Sequence, residues 1–283
     1  MNDLIKFYHP DWDWTAIDNR IESECSDDAC KNDAWYKASL EWLAALSEVF
    51  GNNYQTEESD NFLLLSSEDK SYRRSVLDFS EKALNCIYTA LGTAANDSVY
   101  GKRVIIVIHS YGFYQSYVEA FFPEFKDDFL VSGEFVDLGY EHSVFPYQNL
   151  SITEPILVGH LVGGVLCHLP LPTWLLEGVR SEMINQITSY GSAIVNDELL
   201  DRHRMFWSDE KIEHFLSGDL FNSSGDGCGF SMELARILVR EILYSDDDKE
   251  KFSKFLENAN YQDAGESAFC GVYGTSLRSF IAF

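Results

Sequence analysis

Residues 156–184, ILVGHLVGGVLCHLPLPTWLLEGVRSEMI, form the longest apolar stretch of the chain, and the interpretation of the other segments depends on it. The uncharged run 155–176 is long enough to span a bilayer, but it contains three prolines and two histidines. This pattern predicts a buried core helix, a proline-containing turn and a second helix, with no insertion into a membrane. We therefore place the stretch at the centre of the fold.

One histidine of this stretch matches part of a zinc-binding pattern. In an HExxH motif, two histidines four residues apart bind zinc from one face of a helix, and the intervening glutamate activates the bound water. His160 stands at the first histidine position, Leu161 at the glutamate position and Gly164 at the second histidine position. Leucine cannot accept a proton, and glycine offers no side chain to a metal. The sequence therefore predicts that Leu161 marks a lost catalytic position.

The segment 171–183, LPTWLLEGVRSEM, resembles the "W-L-x-E-G" segment that follows HExxH in bacterial gluzincin-type (peptidase MA-like) metallopeptidases. In those families the glutamate of this segment is the third zinc ligand, which maps onto Glu177. The resemblance implies a zincin-like scaffold with a degenerate metal site. Its former cleft would include five candidate binding residues: His160, Leu161, Gly164, Trp174 and Glu177.

Each of these residues also has an ordinary structural interpretation. Glu177 is three residues before Arg180, a spacing at which a helix brings opposite charges together. Trp174 and Leu175 suit a helical core. We expect no bound cofactor. The alternative is a divergent zinc peptidase that binds the metal through His160, Glu177 and an unrecognised third ligand.

A second template concerns serine hydrolases, in which a strand leads through a tight turn to a nucleophilic serine. If 156–158 were a strand, Leu161 would occupy the nucleophile position, so this template also lacks its reactive group. A related pattern follows the predicted strand 103–109, where Ser110 is either a nucleophile or a residue that caps the next helix. No acid or base partner for Ser110 is evident from the sequence.

The periodicity of the chain predicts an α+β fold with a small mixed sheet, a central helix and a mainly helical C-terminal half. We divide it into a helical N-terminal extension (1–58), an α/β zincin-like core (59–190) and a helical C-terminal subdomain (191–283). Predicted strands are 61–66 and 103–109, with a further strand or hairpin region at 129–138; predicted helices include 35–50, 71–91, 113–121 and 231–243. The acidic stretch 22–33 is predicted to be a loop.

The charge balance is strongly acidic: 46 Asp and Glu against 21 Lys and Arg give a net charge of −25. Such a field repels nucleic acids and anionic membranes and favours basic partners. The ordinary interpretation of the charge is high solubility, and the alternative is an acidic surface that docks a basic protein or peptide. No secretory signal is recognisable, which predicts a cytoplasmic protein with free thiols at its six cysteines.

Together these features predict a catalytically inactive, peptidase-like protein that binds a polypeptide. An immunity- or inhibitor-like role toward a basic protein would suit the charge. The competing hypothesis is a hydrolase that uses His160 and Glu177, or Ser110.

Overall fold

A computed structural model describes residues 12–51, 53–96, 99–122, 132–188, 197–245 and 249–281. Their order is mixed, and the described strands all lie before residue 147, which gives an α+β fold. The helices are α1 Trp14–Glu24, α2 Asp28–Phe50, α3 Lys70–Leu91, α4 Tyr111–Phe121, α5 Leu150–Leu166, α6 Thr173–Ile187, α7 Asp197–Phe206, α8 Asp209–Leu216, α9 Asp226–Ser245, α10 Lys249–Asn258, α11 Glu266–Tyr273 and α12 Leu277–Ile281. The strands are β1 Gln55–Glu58, β2 Phe62–Ser66, β3 Arg103–Ile108, β4 Glu134–Val136 and β5 His142–Pro146. The α+β prediction is confirmed.

The chain divides into two compact units, Met1–Lys82 with Ser98–Leu157, and Ala83–Asp97 with Val158–Phe283. The first contains the sheet, in the order β1-β2-β3-β5-β4. Strands β2, β3 and β5 are parallel, whereas β1 and β4 are antiparallel edge strands. The sheet is therefore small and mixed, as predicted.

The central strands form because their side chains are apolar on both faces. Strand β2 (FLLLS) is fully buried, and β3 (RVIIVI) is buried beyond its first residue. Alternate side chains of these strands pack against helices α2 and α4 in one aromatic-rich core. Because the remaining side chains of both strands are also buried, both faces of the sheet are covered, as is usual for parallel strands.

Three local predictions near the N-terminus and the sheet are wrong or incomplete. The stretch 22–33 is mostly helical, because α1 continues to Glu24 and α2 begins at Asp28 with Asp27 as its N-cap. Strands β1 and β5 were not predicted, since each is short and polar in sequence. Of the predicted segment 129–138, only 134–136 is a strand, and 129–131 lies outside the described residues.

The cysteine prediction is also corrected. Cys25 and Cys30 form a disulfide across the turn between α1 and α2. The other four cysteines lie outside this disulfide; Cys167 and Cys270 are exposed, and Cys86 and Cys228 are half-buried. The expectation of free, buried thiols therefore fails for the Cys25–Cys30 pair, and none of the other four thiols is fully buried.

The second unit is helical in its described part, with α6 and α9 in close contact. Gly178 of α6 allows this approach, because a Cβ atom there would lie 2.6 Å from the carbonyl oxygen of Ala235 in α9. Helix α9 begins at Asp226, five residues before the predicted start at Ser231, and Ser231 is a buried interior residue. Among the described residues, no helix combines the length and the apolar character needed to cross a membrane.

Candidate functional site

Helix α5 holds the first half of the predicted metal-site remnant. It runs without interruption from Leu150 to Leu166 and includes Pro155. His160 and Gly164 are therefore one helical turn apart on a shared face, the placement that the zinc template requires. The segment 156–158 belongs to this helix, so the strand-then-serine template of a hydrolase does not apply here.

The side chains at these positions supply at most one metal ligand and no general base. Leu161 is 5% exposed and belongs to the apolar core. His160 is half-buried, and burial, with a smaller contribution from the charge of Arg180, lowers its pKa to about 3. The imidazole is therefore neutral at physiological pH. Gly164 is half-buried and has no side chain with which to bind a ligand.

Helix α6 supplies Glu177, and its carboxylate is already paired. Arg180 Nη1 donates a hydrogen bond to Glu177 Oε1 over 2.6 Å, which confirms the predicted pair at i and i+3. The same guanidinium lies against α5, because a Cβ atom on Gly163 would be 2.6 Å from Arg180 Nη2. Arg180 thus contacts Glu177 and Gly163 and acts electrostatically on His160. The guanidinium of Arg180, a cation of the protein itself, therefore lies among the residues that the resemblance assigns to a degenerate zinc site.

Trp174 lies in the core of the second unit. Its ring is fully buried near Phe215 and Phe255, with centroid distances of 6.2 and 6.4 Å. Its indole N–H donates to the carbonyl oxygen of Ala264 over 2.9 Å. Every polar group of the ring is satisfied internally, so Trp174 supports the helices and does not contact the solvent.

Two further histidines of the second unit, which could have supplied a third ligand, pair with other side chains. His203 is buried, accepts a hydrogen bond from the Trp207 indole over 2.9 Å and lies 3.3 Å from Glu233. His214 is exposed beside Asp219. Within the described ranges, no group of three or more His, Cys, Asp or Glu side chains is arranged to hold a metal ion.

A different cluster lies in the first unit, at the carboxyl ends of the parallel strands. Glu68 follows β2, His109 follows β3 and Tyr147 follows β5. His109 Nδ1 is 2.7 Å from Glu68 Oε1, and the His109 ring stacks on Tyr147 with centroids 5.5 Å apart. A carboxylate accepts only, so Nδ1 carries a proton in this pair, and in the neutral ring Nε2 then presents a lone pair.

Two tyrosines contact this cluster, one through its ring and the other through a hydrogen bond. Tyr72 meets Tyr147 edge-on at 5.3 Å, and burial raises the pKa of its hydroxyl to about 12. The Tyr54 hydroxyl accepts a hydrogen bond from the backbone N–H of His109 over 3.0 Å. Ser110 is the N-cap residue of α4, but its hydroxyl makes no capping hydrogen bond. Ser110 therefore occupies the predicted N-cap position, but its side chain does not cap the helix.

Sequence reasoning noticed His109 and Ser110 but missed Glu68 and Tyr147. The available signal was positional, because ligands of open α/β sheets bind beyond the carboxyl ends of parallel strands. Each of these residues stands within two positions of the end of a buried strand. Applying this rule to each strand end would have grouped them.

No protein-family model matches this sequence, and no curated protein matches it either. The gluzincin resemblance therefore depends on the residues quoted above and on the order of the helices and strands.

Proposed function

We propose that this chain is a non-catalytic protein on a gluzincin-like scaffold, and that it acts by binding a polypeptide. The order of elements supports the scaffold: a strand, a long helix, a strand, a short helix, further strands and then the central helix α5. The helix that carries Glu177 follows directly after a proline-containing turn. This is the order that the resemblance implies for the region around HExxH.

The single observation that carries the proposal is the position of Arg180. Its guanidinium neutralises Glu177, which the resemblance assigns as a zinc ligand, and lies against Gly163 on the helix of His160. A divalent cation brought to the same place would be repelled by this fixed positive charge and would have to displace it from the carboxylate. The protein's own side chain thus supplies the positive charge that zinc would otherwise contribute.

The second support is the lack of a proton acceptor at the template's base position. Leu161 is an alkyl side chain, and the pKa of about 3 at His160 makes that imidazole a weak base. Metal-assisted hydrolysis needs a metal-bound water and a group that takes its proton. The residues at the template's base position offer no group that takes such a proton.

The partner that we propose is a basic protein or peptide, in an immunity- or inhibitor-like relationship, within the cytoplasm. The supporting observation is the net charge of −25. A field of this sign attracts cationic surfaces and accelerates their association. It opposes binding to nucleic acid.

The test is metal content, measured by ICP-MS on protein purified without a histidine tag and then offered zinc at micromolar concentration. Three proteins are compared: wild type, His160→Ala and His168→Ala, whose replaced histidine is exposed in the turn after α5. We expect no stoichiometric zinc in any of them and no proteolysis of casein. One zinc per chain in the wild type that is lost only in His160→Ala would overturn the proposal and favour the divergent zinc peptidase.

A further inference from the structure

The ends of the three parallel strands carry most of the exposed apolar side chains of the described residues. Of the seven large hydrophobic side chains that are exposed there, four lie at this edge: Tyr111, Phe113, Tyr147 and Ile152. Tyr111 and Phe113 begin α4 after β3, and Ile152 lies in the first turn of α5 after β5. Exposed apolar clusters of this kind mark interaction sites more often than single exposed residues do.

Two polar groups at the same edge can accept hydrogen bonds. They are the Glu68 carboxylate and, in the neutral ring, Nε2 of His109, to which no donor is bonded among the described residues. The rings of Tyr147 and Tyr111 present electron-rich faces, which attract cations. Their exposed fractions of 45% and 44% leave room for such a contact.

The cationic side chains at this edge leave the acceptors and the aromatic faces available to a basic ligand. Arg73 is buried and bonded to Glu57, Gln55 and the backbone carbonyl of Glu68. Lys70 is exposed, and Asp69 precedes it in the chain. Acceptors and aromatic faces therefore predominate among the accessible groups.

We propose that Glu68, His109, Tyr111, Phe113, Tyr147 and Ile152 form a docking surface, here called the sheet-end surface, for a basic polypeptide segment. An Arg or Lys side chain of the segment stacks on Tyr147 and donates to His109 Nε2. Apolar neighbours of that side chain cover Phe113 and Ile152. The inference rests on the proposed function, because it assigns a location and a chemistry to the partner binding proposed above.

The chemistry selects a polypeptide with alternating cationic and apolar side chains. A purely cationic ligand would leave the apolar half of the sheet-end surface uncovered, and a purely apolar one would leave the acceptors without donors. An acidic segment could interact favourably with the uncapped N-terminus of α4. The net charge of the protein, however, disfavours the binding of an acidic segment.

The experiment measures fluorescence anisotropy of a fluorescein-labelled peptide in which arginine alternates with leucine, bound to the full chain at low salt. A peptide with glutamate in place of arginine is the reference. The variants are Tyr147→Ala and His109→Ala, with Tyr261→Ala as a matched control, since Tyr261 is 63% exposed in the second unit. Unfolding curves verify that each variant is folded.

We expect the basic peptide to bind, the acidic peptide not to bind, and each of the first two variants to weaken binding by about tenfold. Tyr261→Ala should bind as the wild type does. A second readout uses the wild type alone: the basic peptide should protect His109 from diethyl pyrocarbonate, as measured by mass spectrometry.

Other results would contradict either the location of the docking surface or the basic character of its ligand. Binding that is unchanged in both variants, without protection of His109, would place the partner elsewhere and leave the proposed function intact. Preference for the acidic peptide, or no binding of the basic one, would overturn the sheet-end surface as a basic-segment site. The non-catalytic proposal itself is tested separately: it fails if the wild type binds zinc that is lost only in His160→Ala, or if it cleaves casein.

Discussion

His142 is a buried histidine whose two ring nitrogens are both satisfied. Nδ1 donates to the carbonyl oxygen of Tyr140 over 2.7 Å, and Nε2 accepts from the Tyr117 hydroxyl over 2.8 Å. Burial lowers the pKa of His142 to about 4, partly offset by the bond to Tyr140. The neutral imidazole is thus a structural part of the core between the sheet and α4.

We predict that His142 makes the stability of the protein fall in mild acid. An unfolded histidine takes up a proton as the pH falls through its ordinary pKa of 6.5, whereas folded His142 resists until about pH 4. The stabilisation is therefore complete above pH 6.5 and is lost as the pH falls towards 4. At about 1.4 kcal/mol per pKa unit, the loss is about 3 kcal/mol.

The measurement is urea unfolding at several pH values, followed by the fluorescence of tryptophans such as Trp42, whose ring lies 5.1 Å from His142. In His142→Asn, the free energy of unfolding should fall between pH 6.5 and pH 4 by about 3 kcal/mol less than in the wild type, even if the variant is less stable at every pH. His168→Asn changes an exposed histidine and is the control. Identical slopes in the wild type and His142→Asn would refute the prediction.

Gly178 yields a second prediction at the scale of one residue. A Cβ at this position would meet the Ala235 carbonyl oxygen at 2.6 Å and Val239 Cγ2 at 2.7 Å, so α6 and α9 would have to separate. Gly178→Ala should lower the free energy of unfolding by about 1–3 kcal/mol. Gly229→Ala is the matched control in α9, because no atom lies within 4 Å of its added Cβ. That variant should be neutral or more stable, by up to about 1 kcal/mol; equal effects of the two substitutions in urea unfolding would contradict the packing argument.

At the scale of elements, the predictable segments were those whose signal is local. Strands β2 and β3 are runs of buried apolar residues, and the Glu177–Arg180 pair follows from helical spacing alone. Strand β5 was missed because His142 and Ser143 make it look polar and Pro146 is unfavourable in a strand, and the partners of the His142 ring are Tyr117 and Tyr140. Only the assembled fold supplies those partners.

The candidate sites divide in the same way. His160, Leu161 and Gly164 could be placed relative to one another because they share one helix. The contact between Arg180 and Gly163 joins two helices, and the bond between His109 and Glu68 spans 41 residues. No spacing rule reaches such pairs: the strand-end rule could have grouped His109 with Glu68, but their bond and the contact of Arg180 with Gly163 emerged only in three dimensions.

The turn between α1 and α2 carries a prediction of its own. The Cys25–Cys30 disulfide closes a loop with a sequence separation of 5 residues, which on loop entropy stabilises the fold by about 2 kcal/mol. The double variant Cys25→Ser/Cys30→Ser should lose that amount, and reduced wild type should unfold at the same urea concentration as this variant. Denatured, oxidised protein should show four free thiols, those of Cys86, Cys167, Cys228 and Cys270. Six free thiols after oxidation would contradict the pairing.

The disulfide also bears on the proposed compartment. A reducing cytoplasm keeps such pairs open. Protein alkylated at the moment of cell lysis should therefore show six free thiols if the proposed cytoplasmic location is right. Four free thiols in protein alkylated at lysis would instead favour an oxidising compartment.

At the scale of the whole molecule, the excess of negative charge decides how salt acts on stability. Exposed ion pairs such as Lys37–Asp33 and Lys254–Glu250 are weakened by salt, but each contributes little because both partners are in water. The repulsion among the groups that give the net charge of −25 opposes the compact state, and salt weakens it too. Since unpaired carboxylates far outnumber available cations, the second effect should predominate.

We therefore predict that sodium chloride raises the urea midpoint of the wild type as it shortens the screening distance from about 30 Å at about 0.01 M to about 10 Å at about 0.1 M. Choline chloride should produce the same rise, because screening depends on ionic strength and not on a specific cation. A rise with sodium alone would indicate a cation site and not general repulsion. A midpoint that falls with salt would mean that ion pairs stabilise the fold more than its net charge destabilises it. The same screening should weaken the binding of a basic peptide, so salt that stabilises the protein should also release its proposed partner.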